Sequence, residues 1–337
     1  MEILRVAMIG FGGIGAVHKV AYDDLARAGS PIKLVAVCDK NPDCLKGSIK
    51  TNLGSVDLGS FDGVEFFTDC DELLKNVEFD VADICLPTFL HKDYTVKLLR
   101  AGKHVLCEKP MALSFSDCLE MADCAMECGR ELAIGQCLRF DAAYLYLKDM
   151  IESGELGKLR RITMGALSYM PMWGGWFTDA KKSGGCIFDF HIHDVDILRF
   201  LLGEPISVSS TALSLEGDSA PRYVNTRFFY DGVIAEAEAS FDESNTAPYA
   251  RWYRARFDKA SIIYKGEAVV VYPDDGEPYV AKVGAVDRTV GEISYLADVI
   301  LNGKENTVNS GEIASGSIKL CELIAKSAAN DAEKIYI

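Results

Sequence analysis

Residues 189–196, DFHIHDVD, hold two histidines and three aspartates with only apolar residues between them. Such a cluster could bind a metal, run acid–base chemistry, or be a solvated run of charge. On a helix, turning about 100° per residue, Asp189, His193 and Asp196 fall at i, i+4 and i+7 on one stripe, and His191 and Asp194 fall elsewhere. The remaining surface carries Phe190, Ile192, Val195, Ile197, Leu198, Leu201 and Leu202, so this is not a solvated face. Unpaired buried charge is costly, so the stripe must face a polar cleft or a buried network. Read as a strand, Asp189, His191 and His193 would share a face and resemble metal ligands. The length of the run and the Gly-then-Pro stop in LLGEP favour the helix. A clear third strong ligand is then missing, and no metal is expected. A carboxylate one turn from a histidine suits the orientation of a general base.

A second constellation is MIGFGGIGAVHK, where Gly10, Gly12 and Gly15 form G-x-G-x-x-G between an expected strand and an expected helix. In that setting the pattern permits a tight turn, close approach of a pyrophosphate, and anion binding at the helix N-terminus. The loop residues Gly10, Phe11, Gly12, Gly13, Ile14 and Gly15 are therefore cofactor-binding candidates. Asp39 ends the next strand, VAVCD, about 20 residues further on, where a carboxylate accepts ribose hydroxyls and repels a 2′-phosphate. NAD is the expected cofactor, with NADP left open by the adjacent Lys40.

A third candidate, Lys109, follows a strand in HVLCEKP, next to Glu108 and Pro110. Ligands of open α/β sheets bind beyond the carboxyl ends of strands, which places Glu108 and Lys109 near a nicotinamide. A lysine in a partly desolvated cleft can donate or share a proton; the alternative is a surface pair with Glu108. Pro87, Thr88 and His91 follow the preceding strand in the same way and are expected to line the cofactor cleft, although a lone histidine there is more often a packing residue.

These residues need elements to hold them. Short apolar runs at 4–10, 33–39, 64–68, 81–87, 104–109 and 131–136 alternate with helical patterns such as 92–101 and 114–128. Continuous apolar strands alternating with helices give a doubly wound parallel α/β domain. Beyond about residue 137 a helix ending at Gly154 is followed by long alternating runs, with Asp231–Gly232 as a two-residue hairpin signal, and two helices near 291–301 and 311–329 close the chain. The expected domains are 1–137, α/β, and 138–337, α+β with a large, mainly antiparallel sheet.

The chain has 337 residues, 49% apolar and 25% charged, with net charge −15. That balance argues against a polyanion partner, and no basic stripe for nucleic acid is seen. No run of about eighteen apolar residues predicts a membrane span, and the N-terminus reads as a strand instead of a signal peptide. Eleven cysteines without CxxC pairs read as reduced thiols of a cytoplasmic protein.

The blocks GFGGIG, AVCD, LPTFLHKDYTVKLLRAGKHVLCEKPMAL, CLRF and GGCIFDFHIHDVDILRFLLG together resemble the glucose–fructose oxidoreductase, inositol dehydrogenase and rhizopine-catabolism (Gfo/Idh/MocA) family. The resemblance runs over nearly the whole chain. It implies an N-terminal Rossmann domain, a C-terminal domain with a large open sheet for substrate binding and oligomerisation, and NAD(P)-dependent hydride transfer at a sugar or cyclitol hydroxyl. It places catalytic roles on Lys109, Asp189 and His193 and implies a homodimer or homotetramer. His191 departs from it, since relatives often have glycine there. Substrate-binding candidates are Lys109, Gln136, Arg139, Trp173, Trp176, Asp189 and His193. Trp173 and Trp176 could stack on a sugar ring, with Asp179 or Lys181 reading hydroxyls, or could equally pack a domain junction. Arg139 could equally be a structural partner of another charge. Two rival readings stand beside this one. The first is an enzyme with tightly held cofactor that couples two sugars or cleaves glycosides through a keto-sugar. The second is a non-catalytic cofactor-binding regulator, which would not need the Lys109, Asp189 and His193 trio.

Overall fold

The computed structural model describes residues 3–46, 48–51, 54–171 and 175–337, so Trp173 lies outside the described residues. The chain divides into two compact units, residues 1–140 with 286–315, and residues 141–285 with 316–337. A boundary near residue 137 assigns everything after it to the second unit, whereas residues 286–315 return to the first. The reason is packing: Ile293, Leu296 and Ala297 of helix Arg288–Asn302 join the core formed by Val6, Met8, Tyr22 and Leu25.

The first unit is built on a six-stranded parallel sheet. In chain order its strands are Leu4–Ile9, Ile32–Cys38, Glu65–Phe67, Val81–Ile84, His104–Glu108 and Leu132–Gly135, and they lie side by side as third, second, first, fourth, fifth, sixth. Val81–Ile84 and Leu132–Gly135 are buried along their whole length, as strands covered on both faces must be. Helices Gly13–Arg27, Cys70–Asn76, His91–Arg100 and Phe115–Cys128 connect the first strand to the second and the third, fourth and fifth each to the next. Phe115–Cys128 starts where Ser114 accepts the Asp117 N–H and stops at Gly129, whose φ of 60° suits glycine. An antiparallel hairpin, Ser48–Thr51 with Gly54–Asp57, was not anticipated from the sequence.

The second unit carries a nine-stranded sheet among the described residues. Its order is Tyr279–Val280, Val269–Pro273, Ala260–Tyr264, Ala250–Phe257, Leu159–Leu167, Ile234–Ser240, Tyr223–Phe229, Ser207–Leu213 and Ile335–Tyr336. Every pairing is antiparallel except that of Ile234–Ser240 with Leu159–Leu167. Alternation sends Val224, Thr226, Phe228, Arg251 and Tyr253 inward. It sends Arg227 and Glu236 outward as a cross-strand ion pair at 2.6 Å. The hairpin expected at Asp231–Gly232 forms, but its last paired residues are Phe229 and Ile234, so the loop is four residues, 230–233, with Gly232 at φ 72°. Among the described residues no helix is long and apolar enough to cross a membrane.

Candidate active site

The glycine loop is built as a cradle. Gly10 has φ 91°, and a Cβ there would lie 2.8 Å from the Cys85 carbonyl oxygen. A Cβ on Gly15 would lie 2.9 Å from the Gly10 carbonyl oxygen. Gly12 is different: it is extended, immediately precedes helix Gly13–Arg27, and has nothing within 4 Å of its missing Cβ among the described residues. Open space before a helix N-terminus is what a dinucleotide phosphate needs. Asp39 stands beside the loop. Its Oδ2 accepts the Phe11 N–H at 2.7 Å and its Oδ1 accepts the Asn41 N–H at 2.8 Å, which fixes the carboxylate. Phe11 contributes that backbone group; its side chain is buried, edge-on to Phe61 at 5.5 Å. Ile14 and Lys40 are exposed and Gly13 is half-buried.

At the end of the fifth strand the Lys109–Pro110 peptide is cis, and Lys109 is half-buried. Glu108 is not a surface partner for it: this residue is 5% exposed, and its Oε2 accepts the Lys109 backbone N–H at 3.0 Å. His91 does not line a cleft. Its buried ring lies with Nδ1 2.8 Å from the Pro110 carbonyl oxygen and Nε2 2.8 Å from that of Leu86, stitching the loops after the fourth and fifth strands together. Burial pushes its pKa down. Thr88 is buried in a short 3-10 turn and Pro87 is half-buried. Gln136 is 2% exposed, and its Nε2 has no hydrogen-bond partner among the described residues. Arg139 is buried, donating from Nη1 to the Val308 carbonyl at 2.6 Å within the returned segment.

Sequence reasoning missed a network beneath this strand end. His18 lies 2.8 Å from Asp83 through Nδ1 and 3.0 Å from Glu108 through Nε2. Tyr22 and Cys85 also donate to Asp83. Burial disfavours a charged His18, but Asp83 outweighs it and holds the pKa well above the usual histidine range. The available signal was His18 itself, three residues past Gly15. Glu292, from the returned segment, is fully buried near these carboxylates. Burial first, then Glu108, raises its pKa well above the ordinary 4.5, and its Oε2 has no hydrogen-bond partner among the described residues. A carboxyl that must stay protonated when folded loses stability as pH rises above its unfolded pKa. Glu292→Gln should therefore gain stability on the wild type as pH is raised above about 4.5. Melting curves at pH 4 and pH 8 check this; a difference independent of pH would contradict it.

In the second unit the continuous helix expected over residues 189–202 is broken. Helix Gly185–Asp189 ends, and helix Ile192–Leu202 begins after Phe190 and His191. The Phe190 and His191 N–H groups both donate to the Cys186 carbonyl, at 3.1 and 2.8 Å. The second of these bonds is i→i−5, which adds a residue to the turn and shifts the phase of everything after it. Asp189 therefore ends one helix, and His193 and Asp196 stand on the next. Asp196 is 1% exposed and accepts from Ser317 Oγ at 2.7 Å, a structural contact. Asp189 is 8% exposed and His193 is half-buried.

His191 and Asp194 turn inward and fasten this break to the sheet. His191 Nε2 lies 3.0 Å from Thr226 Oγ1, and Arg251 Nη1 donates to Asp194 Oδ1 at 2.9 Å. Phe190 stacks on Phe241 at 4.6 Å. Glycine in place of His191 could not make the bond to Thr226. Trp176 is half-buried and stacks on Phe177 at 4.0 Å. Asp179 caps the short helix Ala180–Ser183 by accepting the Lys181 N–H. One described group, His18, Asp83 and Cys85, has metal-ligand spacing. It is the buried network above, and both nitrogens of its ring are already engaged by carboxylates.

The strand order of the first unit is that of the doubly wound folds that bind dinucleotides at the turn after their first strand, and its cradle sits at that turn. A family model described as "Oxidoreductase family, NAD-binding Rossmann fold" matches residues 4–136, and one described as "GFO/IDH/MocA C-terminal domain" matches residues 144–263. The chain belongs to the Gfo/Idh/MocA oxidoreductase family, and its residues 4–136 match that family's NAD-binding domain. It is 30% identical over 265 residues to the scyllo-inositol 2-dehydrogenase (NAD(+)) of Bacillus subtilis (strain 168), covering 75% of this chain and 70% of that protein. It is 34% identical over 181 residues to the 1,5-anhydro-D-fructose reductase of Ensifer adhaerens, covering 52% of this chain and 54% of that protein. The chain thus spans little more than half the length of that reductase. The aldose-aldose oxidoreductase from Caulobacter crescentus shares the fold with a TM-score of 0.84 at 22% identity, covering 100% of both chains.

Proposed function

We propose that the chain catalyses NAD-dependent hydride transfer between nicotinamide and a hydroxyl, or the corresponding ketone, of a sugar or cyclitol. NAD, when bound, supplies the hydride acceptor. Lys109 hydrogen-bonds the reacting oxygen and stabilises its developing negative charge. His193 takes the hydroxyl proton, and Asp189 orients His193 and binds a neighbouring hydroxyl. Gln136, whose Nε2 has no hydrogen-bond partner among the described residues, and Trp176 complete the reading as substrate contacts. The observation that carries it is the placement of the open cradle at Gly12 and of Lys109 at the carboxyl ends of the first and fifth strands of one sheet. The inositol and anhydrofructose named for the relatives support a polyhydroxylated ring as substrate.

A homodimer or homotetramer joined through the outer face of the second sheet goes with this reading. Half-buried Tyr223, Trp252, Ile263 and Val270 on that face support it.

The test is a panel of cyclitols, aldoses and sugar acids with NAD or NADP, monitored for reduced nicotinamide before and after dialysis. Turnover that requires added NAD supports an ordinary dehydrogenase. Turnover without added cofactor after dialysis favours the tight-cofactor enzyme, and none anywhere contradicts the reading. In the same assay Asp39→Ser should shift the ratio of kcat/KM for NAD over NADP at least about tenfold toward NADP, which is about 1.4 kcal/mol. An unchanged ratio would remove Asp39 from cofactor selection.

A further inference from the structure

The buried network under the strand end sets a histidine and two carboxylates among mostly apolar strands. His18 is 1% exposed, Asp83 0% and Glu108 5%. Both ring nitrogens of His18 face carboxylate oxygens, at 2.8 and 3.0 Å, so both donate and the ring is an imidazolium. It comes from the helix that opens at the glycine loop, and its second partner is the residue immediately before Lys109.

We propose that His18 is a positioning residue for Lys109: it grips one oxygen of Glu108 so that the other receives the Lys109 backbone N–H, tying the strand end that carries the lysine to the helix that starts at the dinucleotide cradle. This rests on the catalytic reading of Lys109.

Three observations support it. The carboxylate has a fitted space, because Gly135 on the neighbouring strand is bare where a Cβ would lie 2.7 Å from Glu108 Oε1. A metal is the wrong occupant, since an imidazolium has no lone pair to offer, and burial pushes the Cys85 thiol up to about 12. Simple adhesion is the weaker account, because buried ion networks seldom stabilise more than apolar packing of the same volume. What two charge-assisted bonds on one carboxylate do supply is a fixed orientation.

The experiment is a cycle of His18→Gln, Lys109→Ala and the double variant, with kcat on the best panel substrate and Kd for NADH. His18→Gln should lower kcat about tenfold while Kd stays within about threefold, and the double variant should match Lys109→Ala within about twofold. Losses that multiply, or an unchanged kcat in His18→Gln, would overturn the proposal. Glu108→Gln, uncharged and of the same shape, takes the place of His18→Gln in the same cycle if that variant does not fold.

A readout independent of turnover separates this proposal from the catalytic one. Lysines are reductively methylated with ¹³C, and the Lys109 signal is assigned by its absence in Lys109→Arg. His18→Gln and Glu108→Gln should shift or broaden that signal, whereas Tyr22→Phe, which removes a donor to Asp83 only, should not. A wild type inactive on the whole panel sinks the hydride-transfer reading; an unmoved Lys109 signal sinks this one.

Discussion

His193→Ala should lower kcat by about two to four orders of magnitude, the range that a positioned general acid–base contributes, and leave the Kd for NADH within about threefold. The size follows from what the side chain is asked to do. Oxidising an alcohol by hydride loss requires the hydroxyl proton to leave in the same event, and water is a poor substitute for a fixed imidazole. Selectivity for kcat follows from the scaffold. The break that presents His193 is fastened by its neighbours, through His191 to Thr226, Asp194 to Arg251, and Phe190 against Phe241. Removing the His193 ring leaves those ties in place, so the variant should fold and bind cofactor. Its pH profile should also lose the limb that reports the base. Near-normal turnover would remove His193 from the chemistry.

Lys109→Ala should lower kcat about two to three orders of magnitude, as loss of one donor to a developing oxyanion does. Lys109→Arg should not restore it, because a planar fork does not replace a compact ammonium as a point donor. The strand end is again held by other groups, Glu108 on the Lys109 N–H and His91 between the Pro110 and Leu86 carbonyls. NADH affinity should therefore move by less than about threefold. Steady-state kinetics with a fluorescence titration of NADH decide it; a rise in KM at constant kcat would make Lys109 a binding residue only.

What could be read from the chain alone was what local patterns encode. The strand, turn and helix start around the glycine loop depend on a few neighbouring residues, and Gly10 and Gly15 stand where a Cβ would meet backbone within 3 Å. Most of the six strands were legible because parallel strands covered on both faces are apolar throughout, although the edge strand Glu65–Phe67 is not buried. Failures came where distant partners decide. The continuous helix expected to carry Asp189, His193 and Asp196 is broken at an i→i−5 bond to Cys186, and no periodicity reveals that. His191 found its role in Thr226, and Asp196 in Ser317, each more than thirty residues away along the chain. Helix Arg288–Asn302 has an apolar face that could have packed on either core; its return to the first unit brought Glu292 toward His18 and Glu108. The clamp of His18 between Asp83 and Glu108 joins residues 65 and 90 positions apart, and the helix after a glycine loop is ordinarily read only for its N-terminus.

The central claim is that a hydride leaves a substrate carbon for the nicotinamide. The most direct test supplies the best panel substrate carrying deuterium on the oxidised carbon, with NAD, and examines the reduced cofactor by mass spectrometry. The account predicts a cofactor one deuterium heavier in stoichiometric yield. Reduced cofactor without deuterium, or a labelled substrate released unchanged by a protein that binds NADH, would contradict it.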